Sequence, residues 1–169
     1  MPRSKAPRRP YRAGKVYLNA HHLAMAKVHT LQRDDVQRQL GIVEHALTQF
    51  SRGIDCATHW RSLADVGNVA EQLMRLGICS GPEAARVVAD GQRALADVAQ
   101  RRRARGSWTL YAPELDALRW LQALHRQQLE VCDYAEFERA LDAVREKVNQ
   151  ARAGNAPASA TVIEGEICC

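Results

Sequence analysis

Residues 80–106 read SGPEAARVVADGQRALADVAQRRRARG, a stretch whose start, buried face and end can all be derived from residue types. Ser80-Gly81-Pro82-Glu83 sets a hydroxyl three residues before a glutamate, with a proline that loses nothing by lacking an N–H in the first helical turn. A capping box with Ser80 as N-cap is expected. Ala84, Val87, Val88, Gly91, Leu95 and Val98 recur at three- and four-residue spacing and make one apolar stripe. Arg86, Asp90, Arg93, Asp97 and Arg101 ladder down another face at spacings that suit ion pairs. Arg101, Arg102, Arg103 and Arg105 then set cations against the carbonyl end, and Gly106 suits the left-handed residue that stops a helix. The stretch is an amphipathic helix with one face for a core.

The flanking sequence repeats this pattern. Val36, Leu40, Val43, Leu47 and Phe50 alternate by four and three from Leu31 onward, with Asp34 and Asp35 in the anion-favouring first turns and Gly53 as the stop. Asp55 or Thr58 opens a second helix on Cys56, Trp60, Leu63, Gly67, Ala70, Met74 and Ile78, with Leu76-Gly77-Ile78 as its C-terminal cap. Its small Gly67 and Ala70 imply close approach by a neighbour. Past Gly106, the aromatic Ser107–Ala112 stretch is expected to be a packed turn. Pro113 and Glu114 start a fourth helix on Leu115, Leu118, Leu121 and Leu124, with Trp120 and Leu129 widening the stripe. Asp133-Tyr134-Ala135-Glu136 is a second capping box, opening a fifth helix through Phe137, Leu141, Val144, Val148 and Ala151 and ending near Gly154.

Strands have almost no candidates, and helices of about 20 residues joined by short turns favour an antiparallel bundle. The expected fold is all-α: four long helices, one or two shorter pieces and a single core containing Leu95, Val98, Leu121, Leu124, Leu141 and Val144. Domain organisation is read as a disordered basic arm over residues 1–16, a helical domain over 17–153 and a flexible tail over 154–169. Within 17–30, Leu18, Leu23, Met25 and Val28 are expected to make a short helix or a strap over the core, alongside His21, His22 and His29.

At 169 residues the chain is long enough to bury roughly two-thirds of its unfolded surface without staples. Its net charge of +5 is local. Arg3, Lys5, Arg8, Arg9, Arg12 and Lys15 precede any acid, and the rest of the chain carries a formal −1. Five scattered cysteines form no disulfide framework; with no apolar leader and no glycosylation sequon, a reducing cytoplasm is the expected setting. No run approaches the ~18 apolar residues of a membrane span.

The chemistry-bearing motifs are sparse. Cys56 and His59 share a helix face, yet zinc needs three or four ligands and no second pair stands at ligand spacing, so no metal is expected. There is no nucleophile elbow, phosphate loop, dinucleotide fingerprint or His-Glu-x-x-His, and neither an enzyme nor a cofactor is expected. Glu136, Glu138 and Asp142 read as a solvated face. A helix-turn-helix fit over Ser62–Glu71 misplaces the turn glycine, and a continuous helix explains the same residues. The arm remains, with the Arg101, Arg102, Arg103 and Arg105 cluster: cations that would neutralise phosphates on DNA or RNA without reading sequence, with Tyr11 and Tyr17 available to stack. A helical adaptor for a protein partner is the alternative, and an unrecognised enzyme the third.

Two resemblances add to this. Lys-Val-Tyr after a basic arm, Ala46-Leu47-Thr48-Gln49-Phe50, Trp60-Arg61-Ser62-Leu63-Ala64-Asp65, Gly106-Ser107-Trp108-Thr109-Leu110 and Glu114-Leu115-Asp116-Ala117-Leu118 together resemble small uncharacterised proteins of proteobacterial phages and plasmids. That resemblance implies a bacterial or phage cytoplasmic setting and transfers no functional residue. The terminal Cys168-Cys169 is similar to the double-cysteine prenylation ends of small vesicle-traffic GTPases, but their phosphate loop is missing, so no lipid is expected and an exposed thiol pair is the plainer reading.

Overall fold

The computed structural model describes residues 31–153. The arm, the 17–30 segment and the tail from 154 lie outside the described residues. Those described form an all-helical bundle of five helices: α1 (Arg33–Ser51), α2 (Cys56–Arg75), α3 (Pro82–Arg105), α4 (Ala112–Val131) and α5 (Tyr134–Arg152). All five are long, 19 to 24 residues, where four long helices and shorter pieces were expected. The fifth helix is as long as the first, because its own capping box and apolar period sustain it.

Helix α2 packs against all four others, the most extensive remaining contact being between α3 and α4. Half of α2 is consequently buried, from Cys56 and Trp60 to Gln72 and Leu73. It is continuous through residues 62–71, as expected in place of a helix-turn-helix.

The turns follow from local chemistry. At Gly53 (φ 76°) the Ile54 N–H reaches Gln49 O at 3.0 Å, and at Gly77 (φ 93°) the Ile78 N–H reaches Leu73 O at 2.9 Å. Both are left-handed glycine caps whose extra bonds satisfy carbonyls the helix leaves open. The box at Asp133 is present in both directions: Glu136 N donates to Asp133 Oδ1 at 2.6 Å, and Asp133 N to Glu136 Oε2 at 2.9 Å. The box expected at Ser80 is not. Pro82 takes the first helical position, so Gly81 becomes the N-cap, makes no side-chain cap bond, and leaves Ser80 one residue too early.

The expected single core is two clusters. Leu95, Val98, Leu121 and Leu124 join Phe50, Trp60 and Leu63 in the larger one. Val144, with half-buried Leu141 against it, belongs to a second cluster with Val36, Leu40, Val69, Leu73, Leu129 and Cys132. Helical period shows which face of α5 is buried but not which neighbour covers it, and α5 lies chiefly on α2. The Ser107–Ala112 connection is packed, as its aromatics imply: Trp108 meets Phe50 and Trp60 at centroid distances of 6.2 and 6.4 Å.

Candidate interaction surfaces

The four arginines at the end of α3 are placed differently from one another. Arg101 turns inward, with only 12 % of its side chain exposed, and pairs through both guanidinium nitrogens with Glu114, itself 11 % exposed. It also donates to Thr109 O and lies 3.9 Å from the Tyr111 ring centroid. Glu114 in turn accepts from Tyr111 N at 2.7 Å, so one carboxylate caps α4 and holds α3 to it. Arg102 donates to Gly106 O at 2.9 Å and sits over Trp108. Both guanidinium groups thus have partners within the fold, a part-buried carboxylate or a backbone carbonyl together with an aromatic ring. Arg103 and Arg105 are exposed. Arg3, Lys5, Arg8, Arg9, Arg12 and Lys15 lie outside the described residues.

The described residues as a whole are electrically balanced, with seventeen Lys and Arg against seventeen Asp and Glu. Surface pairs such as Arg93–Asp90, Arg119–Asp116 and Arg145–Asp142 hold several of these at 2.9 to 3.2 Å. Glu71 is more enclosed. It pairs with Arg75, accepts from Gln92 at 3.4 Å and lies 3.6 Å from Lys147, joining α2, α3 and α5. All seven cations of residues 1–30 are unopposed by any acid in that segment.

A groove runs between α3 and α4 in two adjoining parts of about 530 and 640 Å³. Both parts share Glu83, Val87 and Trp120; Cys79–Pro82 and Gln127 lie at one end, Asp90 and Pro113 at the other. Trp120, expected to widen the buried stripe of α4, is 67 % exposed instead. The inward arc of α4 is already filled by Leu118, Leu121, His125, Gln128 and Leu129, leaving the indole on its flank.

Sequence reasoning missed two buried polar groups on α4, in addition to Asn68 and Gln72 of α2. Gln128 is fully buried and its amide donates to Ala70 O at 3.0 Å and Ile78 O at 3.4 Å, fastening α4 to the end of α2. His125 is 4 % exposed, and burial holds its imidazole down at a pKa of about 4, so it is neutral near pH 7. The signal was in the sequence: Leu121, His125, Gln128 and Cys132 continue the apolar stripe at its own spacing. Cys132 is buried too, and burial, reinforced by Glu136, pushes its thiol up to about 11, far from a reactive thiolate.

Among the described residues no three His, Cys, Asp or Glu side chains are placed to share a metal ion. His59 faces His45 of α1 edge-on at 5.5 Å, while Cys56 is buried in the larger core cluster. No described helix is long and apolar enough to cross a membrane. No protein-family model matches the chain, and neither the curated proteins nor the solved structures give a match.

Proposed function

We propose that the chain is a non-enzymatic accessory protein of a bacterial mobile element, working in the cytoplasm. In this reading residues 1–16 are an electrostatic arm that contacts the DNA or RNA backbone without reading sequence, carried by an antiparallel helical bundle. The observation that supports it is the segregation of charge: residues 1–30 hold seven cations and no acid, while residues 31–153 balance to zero. A segment of that kind releases counterions from phosphates, and the balanced body neither adds to nor opposes the effect. With Arg101 and Arg102 tied into the α3–α4 junction, the arm carries the contact almost alone. Fluorescence anisotropy of full-length protein with single- and double-stranded oligonucleotides tests the reading. Binding at low salt that weakens steeply as salt rises is expected; no binding at low salt removes it.

A helical protein–protein adaptor is the second reading, favoured by the exposure of Trp120 beside the α3–α4 groove. An adaptor of this kind would show no affinity for either oligonucleotide.

A further inference from the structure

Cys79 and Cys132 are free thiols on two segments that the fold holds together at one end of the bundle. Cys79 stands in the turn between α2 and α3, half-buried, and lines the groove together with Leu124 and Gln127 of α4. Cys132 is the residue at which α4 ends, and it is fully buried.

Three observations join them. The first is contact between the turn and the helix end. Gln128 donates to Ile78 O at 3.4 Å, and Ile78, the residue before Cys79, packs against the core cluster that contains Cys132. Gln128 and Cys132 are four residues apart and so share one side of α4. The second is electrostatic. Burial, Glu136 and Asp133 do most to push the Cys132 thiol up, and the Cys79 sulfur adds to them, an effect that falls away with distance. The third is backbone. Cys79 has φ 46°, between Gly77 at 93° and Gly81 at 147°. A side chain is costly in that left-handed region, so the turn holds a thiol where glycine would be easier.

The surroundings of the two sulfurs divide the chemistry between them. Cys79 is open to solvent along the groove, whereas Cys132 is enclosed and held protonated, donating weakly from Sγ to Leu129 O at 3.9 Å. A small oxidant therefore meets Cys79 first.

We propose that Cys79 and Cys132 are a redox pair that closes to a disulfide under peroxide, Cys79 meeting the oxidant and Cys132 resolving it. Hydrogen peroxide transfers one oxygen to the Cys79 sulfur, giving a sulfenic acid, and its other oxygen leaves as water. The Cys132 sulfur then attacks the Cys79 sulfur; the S–O bond breaks, and the departing hydroxide takes the Cys132 proton and leaves as a second water. Two thiols have lost two electrons and one peroxide has gained them. The bond ties the α2–α3 turn to the end of α4 and draws the Cys79 sulfur toward Cys132, reshaping the end of the groove that it lines. The pair depends on neither functional reading and holds or fails independently of both.

The test treats the full chain with hydrogen peroxide in the absence of denaturant, with Cys168→Ser and Cys169→Ser to remove the terminal thiols. Remaining thiols are alkylated and the protein is cut with trypsin, which leaves Cys79 in peptide 76–86 and Cys132 in peptide 127–139. These two peptides are expected joined in most chains, in protein of monomer mass, and separated again by dithiothreitol. Cys56, about 28 Å along α2 from the end that carries the turn, should be alkylated throughout. Cys132→Ala should leave a Cys79 sulfenic acid that dimedone labels, and Cys79→Ser should leave Cys132 a thiol. Both thiols still alkylated after peroxide overturns the proposal, as does Cys79 carried on to sulfinic acid while Cys132 is still a thiol. A Cys79 link between two chains, in protein of doubled mass, overturns it equally, as does a bond between Cys79 and Cys132 that forms only in urea, where the fold no longer holds the two together.

Discussion

A Cβ placed on Gly91 would stand 2.8 Å from Cδ2 and 3.1 Å from Cβ of Leu121, so α3 and α4 meet where only a hydrogen fits. Gly91→Ala gains about 1 kcal/mol of helix propensity but forces Leu121, itself fully buried, to move. A net loss of about 1–3 kcal/mol is expected. Gly67→Ala, whose new methyl would meet Gln92 and Leu121 at 3.5 and 3.6 Å, should be neutral to mildly stabilising. Gly41→Ala, with nothing within 4 Å, should stabilise by about 0.5–1 kcal/mol. Urea unfolding midpoints order the three. A Gly91→Ala protein as stable as Gly41→Ala would place the close contact elsewhere.

The Arg101–Glu114 pair makes a different demand. Glu114→Gln keeps an acceptor for Tyr111 N but leaves a nearly enclosed guanidinium without its counter-charge. Breaking a fully buried pair costs about 3–5 kcal/mol, and slightly less is expected for this one, which keeps some solvent. Arg101→Leu with Glu114→Leu should recover part of that loss, since two desolvated charges are removed together. Thermal denaturation of the single and double variants shows whether the coupling exists; equal and additive losses would deny it.

Stability should fall as pH is lowered through the range set by His125. The imidazole titrates at 6.5 in the unfolded chain and at about 4 in the fold, so between those values the unfolded state binds the extra proton. The stabilisation of the neutral fold is complete above 6.5 and is lost as pH falls toward 4, a difference on the order of 3 kcal/mol. His125→Leu removes the titrating group and should flatten that part of the pH dependence. Urea midpoints at pH 7 and pH 4.5 check this: an identical drop in both proteins would assign the acid sensitivity to other groups.

Two N-termini that look alike in sequence should respond oppositely. Asp133→Ala removes a side chain that accepts from Glu136 N and should cost about 1 kcal/mol. Ser80→Ala should cost almost nothing, because Gly81 is the N-cap. Denaturant midpoints of the two variants decide it, and equal losses would restore the serine cap.

These contrasts mark how far the sequence was legible. Helix ends with explicit cap chemistry, at Gly53, Gly77, Gly106 and Asp133, are readable because each signal acts within a few residues. Ser80 misled because two local signals competed, and the fixed φ of Pro82 outweighed the Ser–Glu spacing. Stripes show which face is buried and not against what, so Leu141 and Val144 are expected in one core with Leu95 and Leu121 where the fold has two, and Trp120 is expected on the buried side of α4. His125 and Gln128 were passed over because their polarity hid their place on the stripe. Arg101 looked like helix-end charge because its partner Glu114 arrives from another helix, a relation that no spacing within α3 contains.

The central claim is that the polyanion contact resides in residues 1–16. The most direct measurement is anisotropy of a labelled oligonucleotide across a salt series, comparing the full chain with two variants. One carries Gln at Arg3, Lys5, Arg8, Arg9, Arg12 and Lys15; the other carries Arg103→Gln and Arg105→Gln. The account predicts that the first loses most of its affinity at low salt and most of the slope of log affinity against log salt, while the second stays close to the unaltered chain. Affinity that survives in the first variant and disappears in the second would contradict it, placing the contact at the end of α3 and not in the arm.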